Sequence, residues 1–256
     1  MPRSLYKKIL ATLLVVSSTA VWAEVEEATP THTFSGNVGL VSKYVYRGSV
    51  ENKDLSLQGG IGYAHKSGFL AEYWGSTLGY DPSDERRTRG FENDFYIGYA
   101  REFSENLSFN TKLAAYFYHR GGSVYNDDRS EKRRTTGTEW LSEVDYKNLA
   151  LNLAVTLSDV NYGNAGDVYL SAGYSQPLPY DFSLNTLVGV NIFNSSQDDS
   201  LVNTTEDLVL NEIRLGVGKS FPEVGVDMSL DYIWGGKDRE NGNLDDYLVF
   251  GVSYSF

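Results

Sequence analysis

Long segments in which apolar and polar residues alternate limit what this chain can fold into more than any other feature. In residues 226–232, for example, Val226, Met228, Leu230 and Tyr232 alternate with Asp227, Ser229 and Asp231. Successive side chains of a β-strand point to opposite faces, so a period of two predicts a strand with one apolar and one polar face. A helical period of 3.6 residues is almost absent. The pattern therefore predicts an all-β protein.

The length of these segments narrows the fold further. Many run to about ten residues or more, whereas strands of soluble proteins are mostly about 5–6 residues long. A tilted strand needs roughly 9–11 residues to cross a bilayer. The predicted strands, about twelve in number, are residues 34–47, 54–64, 69–80, 91–102, 107–118, 138–146, 149–158, 167–175, 182–193, 208–220, 226–234 and 246–256.

Short and long connections alternate strictly between these strands. The short ones are near 65–68, 104–106, 147–148, 176–181 and 222–223, and the long ones near 48–53, 81–90, 119–137, 159–166, 194–207 and 235–245. Bacterial outer-membrane barrels have short periplasmic turns and longer extracellular loops. We therefore predict a single antiparallel transmembrane β-barrel of about 12 strands over residues 34–256, with both termini in the periplasm.

Composition excludes several other classes of protein. The mean hydropathy of -0.34 argues against repeated membrane helices but not against a barrel, which needs apolar residues only at alternate positions. The absence of cysteine excludes a disulfide-stapled domain and any thiolate site. A net charge of -12 disfavours nucleic-acid binding, and an aromatic content of 14% disfavours disorder.

The first 23 residues predict a cleavable secretory signal. Arg3, Lys7 and Lys8 form a basic start, an apolar stretch follows over residues 9–20, and Ala23 ends a small-residue cleavage motif. A lone membrane anchor is the alternative. After cleavage near Ala23, residues 24–33 form a short periplasmic segment, and 19 basic and 34 acidic residues leave a net charge of -15.

The apolar face of the predicted strands suits a bilayer. Lipid offers no hydrogen-bond partners, so a spanning sheet has to close on itself. Tyrosine and tryptophan favour the headgroup level. The alternative is a soluble β-protein, either a sandwich with these aromatics in its core or a periplasmic barrel. The candidate girdle residues are Tyr44, Tyr46, Tyr99, Phe109, Phe117, Trp140, Tyr232 and Trp234.

The last predicted strand carries a further signal. Phe250, Val252, Tyr254 and Phe256 share one face. An aromatic final strand of this kind is typical of the signal that the outer-membrane assembly machinery reads. We therefore predict contact with that machinery.

A family resemblance supports the barrel. Residues 36–48 (GNVGLVSKYVYRG) resemble the first strand of the TorF-type putative porins, also called the Gcw_chp family, which are bacterial outer-membrane proteins. Residues 68–76, 92–99, 116–118 and 138–140 are similar to the third to sixth strands of that family. The resemblance covers most of the chain and weakens after about residue 150. It implies a channel, without a defined substrate or catalytic residues.

Strand phase assigns charged side chains to the interior. Carboxylate-rich linings favour cations, so we predict a channel for passive diffusion of small hydrophilic solutes that prefers cations or zwitterions. The basic interior residues are Lys43, Arg47, Lys112 and Arg214, and the acidic ones are Glu72, Glu92, Asp94, Glu139, Glu143, Asp145, Glu212, Asp227 and Asp231.

Other readings of the interior remain open. Interior charges of small barrels can pair across strands and fill the lumen. Loop 119–137 contains Arg120, Arg129 and Lys132. Three alternatives are open for it: it folds inward and constricts the lumen, it folds outward and contacts lipopolysaccharide, or it is a solvated surface loop. A non-conducting structural or adhesive barrel is a further alternative.

We predict no enzyme activity, cofactor or metal site. An outer-membrane lipid hydrolase needs a Ser–His pair in the lipid-exposed belt, for which only Ser123 and His119 are candidates. Asp198, Asp199 and residues 126–128 lack an EF-hand spacing for Ca²⁺. The expected partners are outer-membrane lipids, lipopolysaccharide, the assembly machinery and small solutes, with no nucleic acid, and the oligomeric state is open.

Overall fold

Strands make up most of the chain that the computed structural model describes, which is residues 30–82, 84 and 86–256. The predicted signal and residues 24–29 of segment 24–33 lie outside the described residues, and the last two residues of that segment already belong to the first barrel strand. Within them, helical structure is limited to one 3-10 turn, Ser195–Gln197, and no helix is long and apolar enough to cross a membrane. The strands are β1 (His32–Val41), β2 (Tyr44–Tyr46), β3 (Ser49–Asn52), β4 (Ser56–His65), β5 (Phe69–Leu78), β6 (Gly90–Ser104), β7 (Leu107–Tyr118), β8 (Ser123–Tyr125), β9 (Lys132–Arg134), β10 (Gly137–Tyr146), β11 (Leu149–Thr156), β12 (Val168–Leu178), β13 (Phe182–Ile192), β14 (Leu208–Phe221), β15 (Val226–Gly235) and β16 (Tyr247–Ser255).

Twelve of these strands form one closed antiparallel barrel. Strand β1 pairs with β4 on one side and with β16 on the other, so that Val38 lies opposite both Gly59 and Tyr254. Closure leaves no sheet edge, and the backbone groups find partners without water. The predicted all-β, twelve-stranded antiparallel barrel is confirmed. Around the ring, the order of strands is β1, β16, β15, β14, β13, β12, β11, β10, β7, β6, β5 and β4.

The connections are sorted by the two ends of the barrel, as the sequence predicts. Tight turns at 66–68, 105–106, 147–148, 179–181 and 222–225 define a short-turn end. The segments 42–55, 79–89, 119–136, 157–167, 193–207 and 236–246 define a long-loop end.

The burial pattern of the barrel is the reverse of that in a soluble protein. On β6, the apolar side chains of Phe95 and Ile97 are 49% and 57% exposed, whereas Asp94 is only 1% exposed. Most large exposed apolar side chains lie on the barrel strands and point outward in the same way. A continuous apolar exterior around a polar interior suits lipid outside and polar contacts inside.

The first barrel strand is shorter than the sequence predicts. Strand β1 ends at Val41, not at Arg47, and residues 42–55 fold into the barrel as a separate two-stranded hairpin of β2 and β3. Arg47 and Gly48 both have positive φ, 47° and 79°, which is the geometry of a tight hairpin turn. We call residues 42–55 the lumen hairpin.

Candidate functional site

Charged side chains line the interior as oppositely charged pairs. Lys112 on β7 contacts Glu72 on β5, with Nζ 2.6 Å from Oε2. Arg214 contacts Glu212 two residues before it on β14, with Nε 2.5 Å from Oε2. Both carboxylates would be costly to bury without a cation or hydrogen-bond donor. These four residues lie inside the barrel, on the face that strand phase predicts.

Tyrosine hydroxyls donate hydrogen bonds to the interior carboxylates. A charged acceptor makes such bonds stronger than neutral ones, so each bond fixes the orientation of a carboxylate. The pairs are Tyr44 with Glu92 at 3.1 Å, Tyr96 with Asp94 at 2.8 Å, Tyr116 with Glu139 at 2.8 Å, and Tyr169 with Glu212 at 2.6 Å.

The lumen hairpin is anchored at its base and along its second arm. The backbone N–H of Ser42 donates to the carbonyl of Phe250 at 2.8 Å, and the N–H of Phe250 donates to Ser42 Oγ at 2.9 Å. On the other arm, Asn52 Nδ2 donates to the carbonyl of Thr77 on β5 at 3.1 Å. The hairpin is therefore held between β16 and β5 where it leaves the wall.

The tip of the lumen hairpin reaches the opposite wall. At Gly48, a Cβ atom would lie 2.7 Å from the carbonyl oxygen of Asn211 on β14, so only glycine fits this approach. The Arg47 guanidinium lies over the ring of Tyr169 on β12, with Cζ 4.8 Å from the ring centroid. Strand β12 stands opposite β1 and β4 in the ring. The hairpin therefore crosses the lumen.

Arg47 locks the tip to the wall through Glu139 on β10. Nη1 and Nη2 donate to Oε1 and Oε2 at 2.9 and 2.8 Å, a bidentate pair of the strong, directional kind. The second aromatic face is the ring of Tyr46, 4.6 Å from Cζ. The guanidinium thus contacts two tyrosine rings and one carboxylate.

A cavity of about 270 Å³ lies on the short-turn side of the lumen hairpin. Tyr46 and Arg47 line one end of it, and Asn148 of the turn 147–148 lines the other. Polar side chains such as Asn152 and Asn185 line its walls. The hairpin therefore narrows the lumen and leaves a chamber beneath it.

The remaining predicted interior residues lie at several levels. Lys43 is part of the lumen hairpin, where Nζ donates to the carbonyl of Lys53 at 3.3 Å. Glu143 and Asp145 line the cavity. Buried Asp227 accepts from Ser220 Oγ at 2.5 Å, and half-buried Asp231 lies four residues further along β15, beside Gly216.

Tyr44 and Tyr46 lie inside the barrel, which corrects their prediction as girdle residues of the outer face. Tyr44 is 6% exposed, and its ring packs edge-on against Trp74 at 5.6 Å between centroids. Tyr46 packs against the same interior cluster. The reason is that the chain leaves the barrel wall after Val41, so alternation beyond that residue no longer sorts lipid from lumen.

The other six candidate girdle residues occupy outward positions in two bands. Tyr99 and Phe109 lie near the short-turn end, and Phe117, Trp140, Tyr232 and Trp234 lie near the long-loop end. Phe250 and Tyr254 on β16 and Phe256 directly after it are exposed on the outer face, and Val252 is half-buried there.

Loop 119–137 is not the segment that narrows the lumen. Its β8–β9 hairpin packs on neighbouring loops through Arg133, which is 4% exposed. The Arg133 guanidinium donates to Asp199 at 2.6 Å, to Asn164 at 2.7 Å and to the carbonyl of Val160 at 3.2 Å. Arg133 therefore binds the loop layer and not the acidic barrel wall, and the lumen hairpin takes the constricting position.

Tyr116 and Tyr169 lie in the interior but are not among the predicted interior residues. A signal was present, because Tyr116 shares the strand phase of Lys112 and Tyr169 shares that of Ser171. Tyrosine suits both headgroups and a polar lumen, so residue type alone did not separate the two faces.

The closed barrel, its apolar exterior and its charged, hairpin-crossed interior together define a transmembrane β-barrel of the outer-membrane type. A family model described as "Bacterial protein of unknown function (Gcw_chp)" matches residues 25–250. The chain belongs to this family, which confirms the resemblance at family level; the TorF-type name remains a resemblance only. No curated protein matches the chain.

Several solved structures are similar in fold. A membrane protein from work on in-meso crystallization is 12% identical, with 87% of this chain and 83% of that chain covered and a TM-score of 0.52. The KdgM porin is 8% identical, with 87% and 99% covered and a TM-score of 0.48. OccAB3 of Acinetobacter baumannii is 11% identical at a TM-score of 0.42; 89% of this chain is covered, but it spans only 65% of OccAB3. At these identities, the similarity concerns the fold alone.

Proposed function

We propose that this protein is an outer-membrane channel for passive diffusion of small hydrophilic solutes, narrowed by the lumen hairpin. The reversed burial pattern carries this proposal, because buried interior charges such as Asp94 and Glu212 lie behind an apolar exterior. The cavity of about 270 Å³ beneath the hairpin, whose lining includes polar side chains such as Asn152 and Asn185, provides space for a small solute. The porin-like barrel architecture is consistent with this role.

The same proposal orients the barrel in the membrane. The short-turn end faces the periplasm and the long-loop end faces outward, as in bacterial barrels with this loop asymmetry. The two aromatic bands lie at the headgroup levels, where they contact lipids and, on the outer side, lipopolysaccharide. Export depends on a signal cleaved near Ala23, and the assembly machinery recognises the aromatic face of β16.

The proposed channel prefers cations or zwitterions. The charged residues assigned to the interior comprise nine acids and four bases. Arg47, Lys112 and Arg214 are each paired with a glutamate at 2.5–2.8 Å. The basic side chains are thus largely neutralised, and the excess carboxylates set the potential that a permeating ion meets.

Planar-bilayer recording of the refolded mature barrel tests this function. Discrete conductance steps are expected, with a reversal potential of cation-selective sign under a salt gradient. Heat-modifiable gel migration controls for folding. An anion-selective reversal potential contradicts the cation preference, and a folded barrel without steps contradicts an open channel.

A non-conducting structural barrel is the second candidate, and the filled lumen favours it. Tyr44, Trp74 and Tyr96 form an interior cluster with Val41 and Leu78 near the long-loop end. Replacing residues 43–54 with a short Gly–Ser linker distinguishes the two candidates. A channel narrowed by the hairpin conducts in the unchanged protein and gains conductance several-fold in this variant, whereas a structural barrel shows no conductance steps while the hairpin is in place.

A further inference from the structure

We propose that the pocket around Glu139 is a guanidinium-binding site, which Arg47 occupies as a tethered ligand. A solute that carries a guanidinium group then competes with Arg47 for the same carboxylate. The role of this site in transport rests on the channel function proposed above, whereas binding itself does not require conduction. Guanidinium compounds are then a class of solute for the channel, and they compete with the lumen hairpin for Glu139.

The wall of the barrel supplies the carboxylate of this pocket and the hydroxyls that hold it, whereas the hairpin supplies only the Tyr46 ring. Glu139 on β10 is 5% exposed, and both of its oxygens face Arg47. Tyr116 on β7 donates to Oε2 at 2.8 Å, and Thr156 on β11 donates to Oε1 at 3.3 Å. These two hydroxyls hold the carboxylate in place on rigid strands. The pocket therefore persists when the guanidinium leaves.

The geometry selects guanidinium over a simple ammonium ion. Two parallel N–H donors of Arg47 meet the two oxygens of Glu139 at 2.8–2.9 Å, and the planar group lies over the Tyr169 ring at 4.8 Å. A planar fork can make both contacts together, whereas an ammonium group acts as a point charge. Cation–π attraction to a tyrosine face adds to the selection.

The cavity beside the pocket can take the rest of such a solute. Arg47 and Tyr169 line both the pocket and the cavity of about 270 Å³, and Asp145 and Asn152 line the cavity further toward the short-turn end. A solute bound at Glu139 thus extends into a space that the hairpin does not fill.

Because Arg47 is tethered to the barrel, its competition with a free ligand for Glu139 can be measured. Arg47 stands at the tip of a 42–55 segment and is presented to Glu139 at a high effective concentration, which lowers the apparent affinity for a free ligand. Removing the Arg47 side chain vacates the pocket and leaves Glu139, Tyr116 and Thr156 in place. Free guanidinium compounds should then bind more tightly than they bind to the unchanged protein.

Isothermal titration calorimetry with methylguanidinium on the folded mature barrel in detergent tests this inference. R47A is expected to bind methylguanidinium at least about tenfold more tightly than the unchanged protein. The double variant R47A/E139Q is expected to lose this binding. R47Q is measured beside R47A as a second vacated pocket, and heat-modifiable migration confirms that each variant is folded.

Two matched controls make the result specific. K112A removes another interior cation and leaves the half-buried Glu72 in its place, so it reproduces the change in charge without the Glu139 pocket. Tetramethylammonium carries the same charge as methylguanidinium but has no N–H donors. An equal gain in K112A, or equal binding of tetramethylammonium to R47A, would overturn the proposal.

Calorimetry tests the guanidinium site, and conductance tests the channel function, so either proposal can be wrong without the other. If neither R47A nor R47Q binds methylguanidinium saturably although folded, the guanidinium site is wrong, whatever the conductance. If R47A binds methylguanidinium but no variant conducts, the channel function is wrong and the binding site stands.

Discussion

At the scale of single residues, Arg47 and Gly48 together determine the shape of the lumen. The turn they form requires positive φ at both positions, which an arginine adopts at a cost and a glycine freely. The bidentate contact of Arg47 with Glu139 and its cation–π contact with Tyr169 offset that cost. One ion pair and one glycine therefore hold the hairpin across the barrel.

We expect G48A to weaken the lumen hairpin and raise conductance. The added methyl group would lie 2.7 Å from the carbonyl oxygen of Asn211, on a backbone with φ of 79°. Such a change costs about 1 kcal/mol or more, which shifts the hairpin away from β14. Single-channel recording should show a larger mean conductance than that of the unchanged protein.

G122A is the matched control for this prediction. Gly122 also has positive φ, 146°, but lies in loop 119–136, with nothing within 4 Å of the position that its Cβ would take. An equal rise in conductance in G122A would show that a strained glycine anywhere in the loops has this effect, and the role assigned to Gly48 would then be wrong.

At the scale of elements, the long loops form a bonded layer over one side of the barrel. Arg133 of the β8–β9 hairpin joins loops 157–167 and 193–207, and Arg239 of loop 236–246 contacts Asp167 and donates to Thr204 at 3.0 Å. Because these contacts are made by charged groups, the cohesion of the layer depends on the ionisation of its carboxylates.

We expect acid to loosen this loop layer. Burial raises the pKa of Asp199, but hydrogen bonds from Arg133 and from the backbone N–H groups of Leu201 and Val202 outweigh it, so the pKa lies below its usual value. The stabilisation is present above the unfolded-state pKa of about 3.9 and is lost as the pH falls through the lower folded-state value. Amide hydrogen exchange should therefore show that protection in loops 119–136 and 193–207 falls off below about pH 4.

The variant D199N tests the origin of that change. It should lower protection already at neutral pH and flatten the pH dependence, because the titrating carboxylate is gone. D127N alters an exposed aspartate on the β8–β9 hairpin, which carries the Arg133 partner of Asp199, and serves as the control. If D127N flattens the profile as much as D199N does, Asp199 is not the group responsible.

The alternation of apolar and polar residues predicts the barrel strands well but does not predict the lumen hairpin. Alternation along β6 and β15 located the strands within a few residues, because one face meets an apolar exterior and the other a polar interior. The same alternation in residues 42–47 belongs to a hairpin inside the barrel. A period of two marks a strand but not its layer, and the turn at Arg47 and Gly48 is visible only in the folded chain.

The candidate site was predictable in part for the same reason. Strand phase placed Glu139, Lys112 and Glu212 in the interior, because each lies on a regular barrel strand. The pairing of Arg47 with Glu139 joins residues 92 positions apart and depends on how the hairpin crosses the lumen. The spacing of residues in the sequence does not predict such a contact.

At the scale of the whole molecule, the barrel has an outer surface that favours apolar side chains and an inner surface that accepts polar and charged ones. Ala172 and Gly173 stand next to each other near the middle of β12 and face these two surfaces. Ala172 points outward between Leu151 and Val188, whereas Gly173 lines the interior cavity. A Cβ atom at Gly173 would have its nearest neighbour at 3.6 Å, so a side chain there has room.

We expect A172R and G173R to have different effects although they add the same charge one residue apart. Arginine on the lipid face near the bilayer midplane costs about 2–4 kcal/mol, so A172R should lower the unfolding free energy in lipid vesicles by about that amount, measured by denaturant titration. G173R places the guanidinium among interior carboxylates; it should retain most of that stability and shift the reversal potential toward anions. Equal destabilisation by both variants, with no change in selectivity, would contradict both the lipid-facing exterior and the conducting interior.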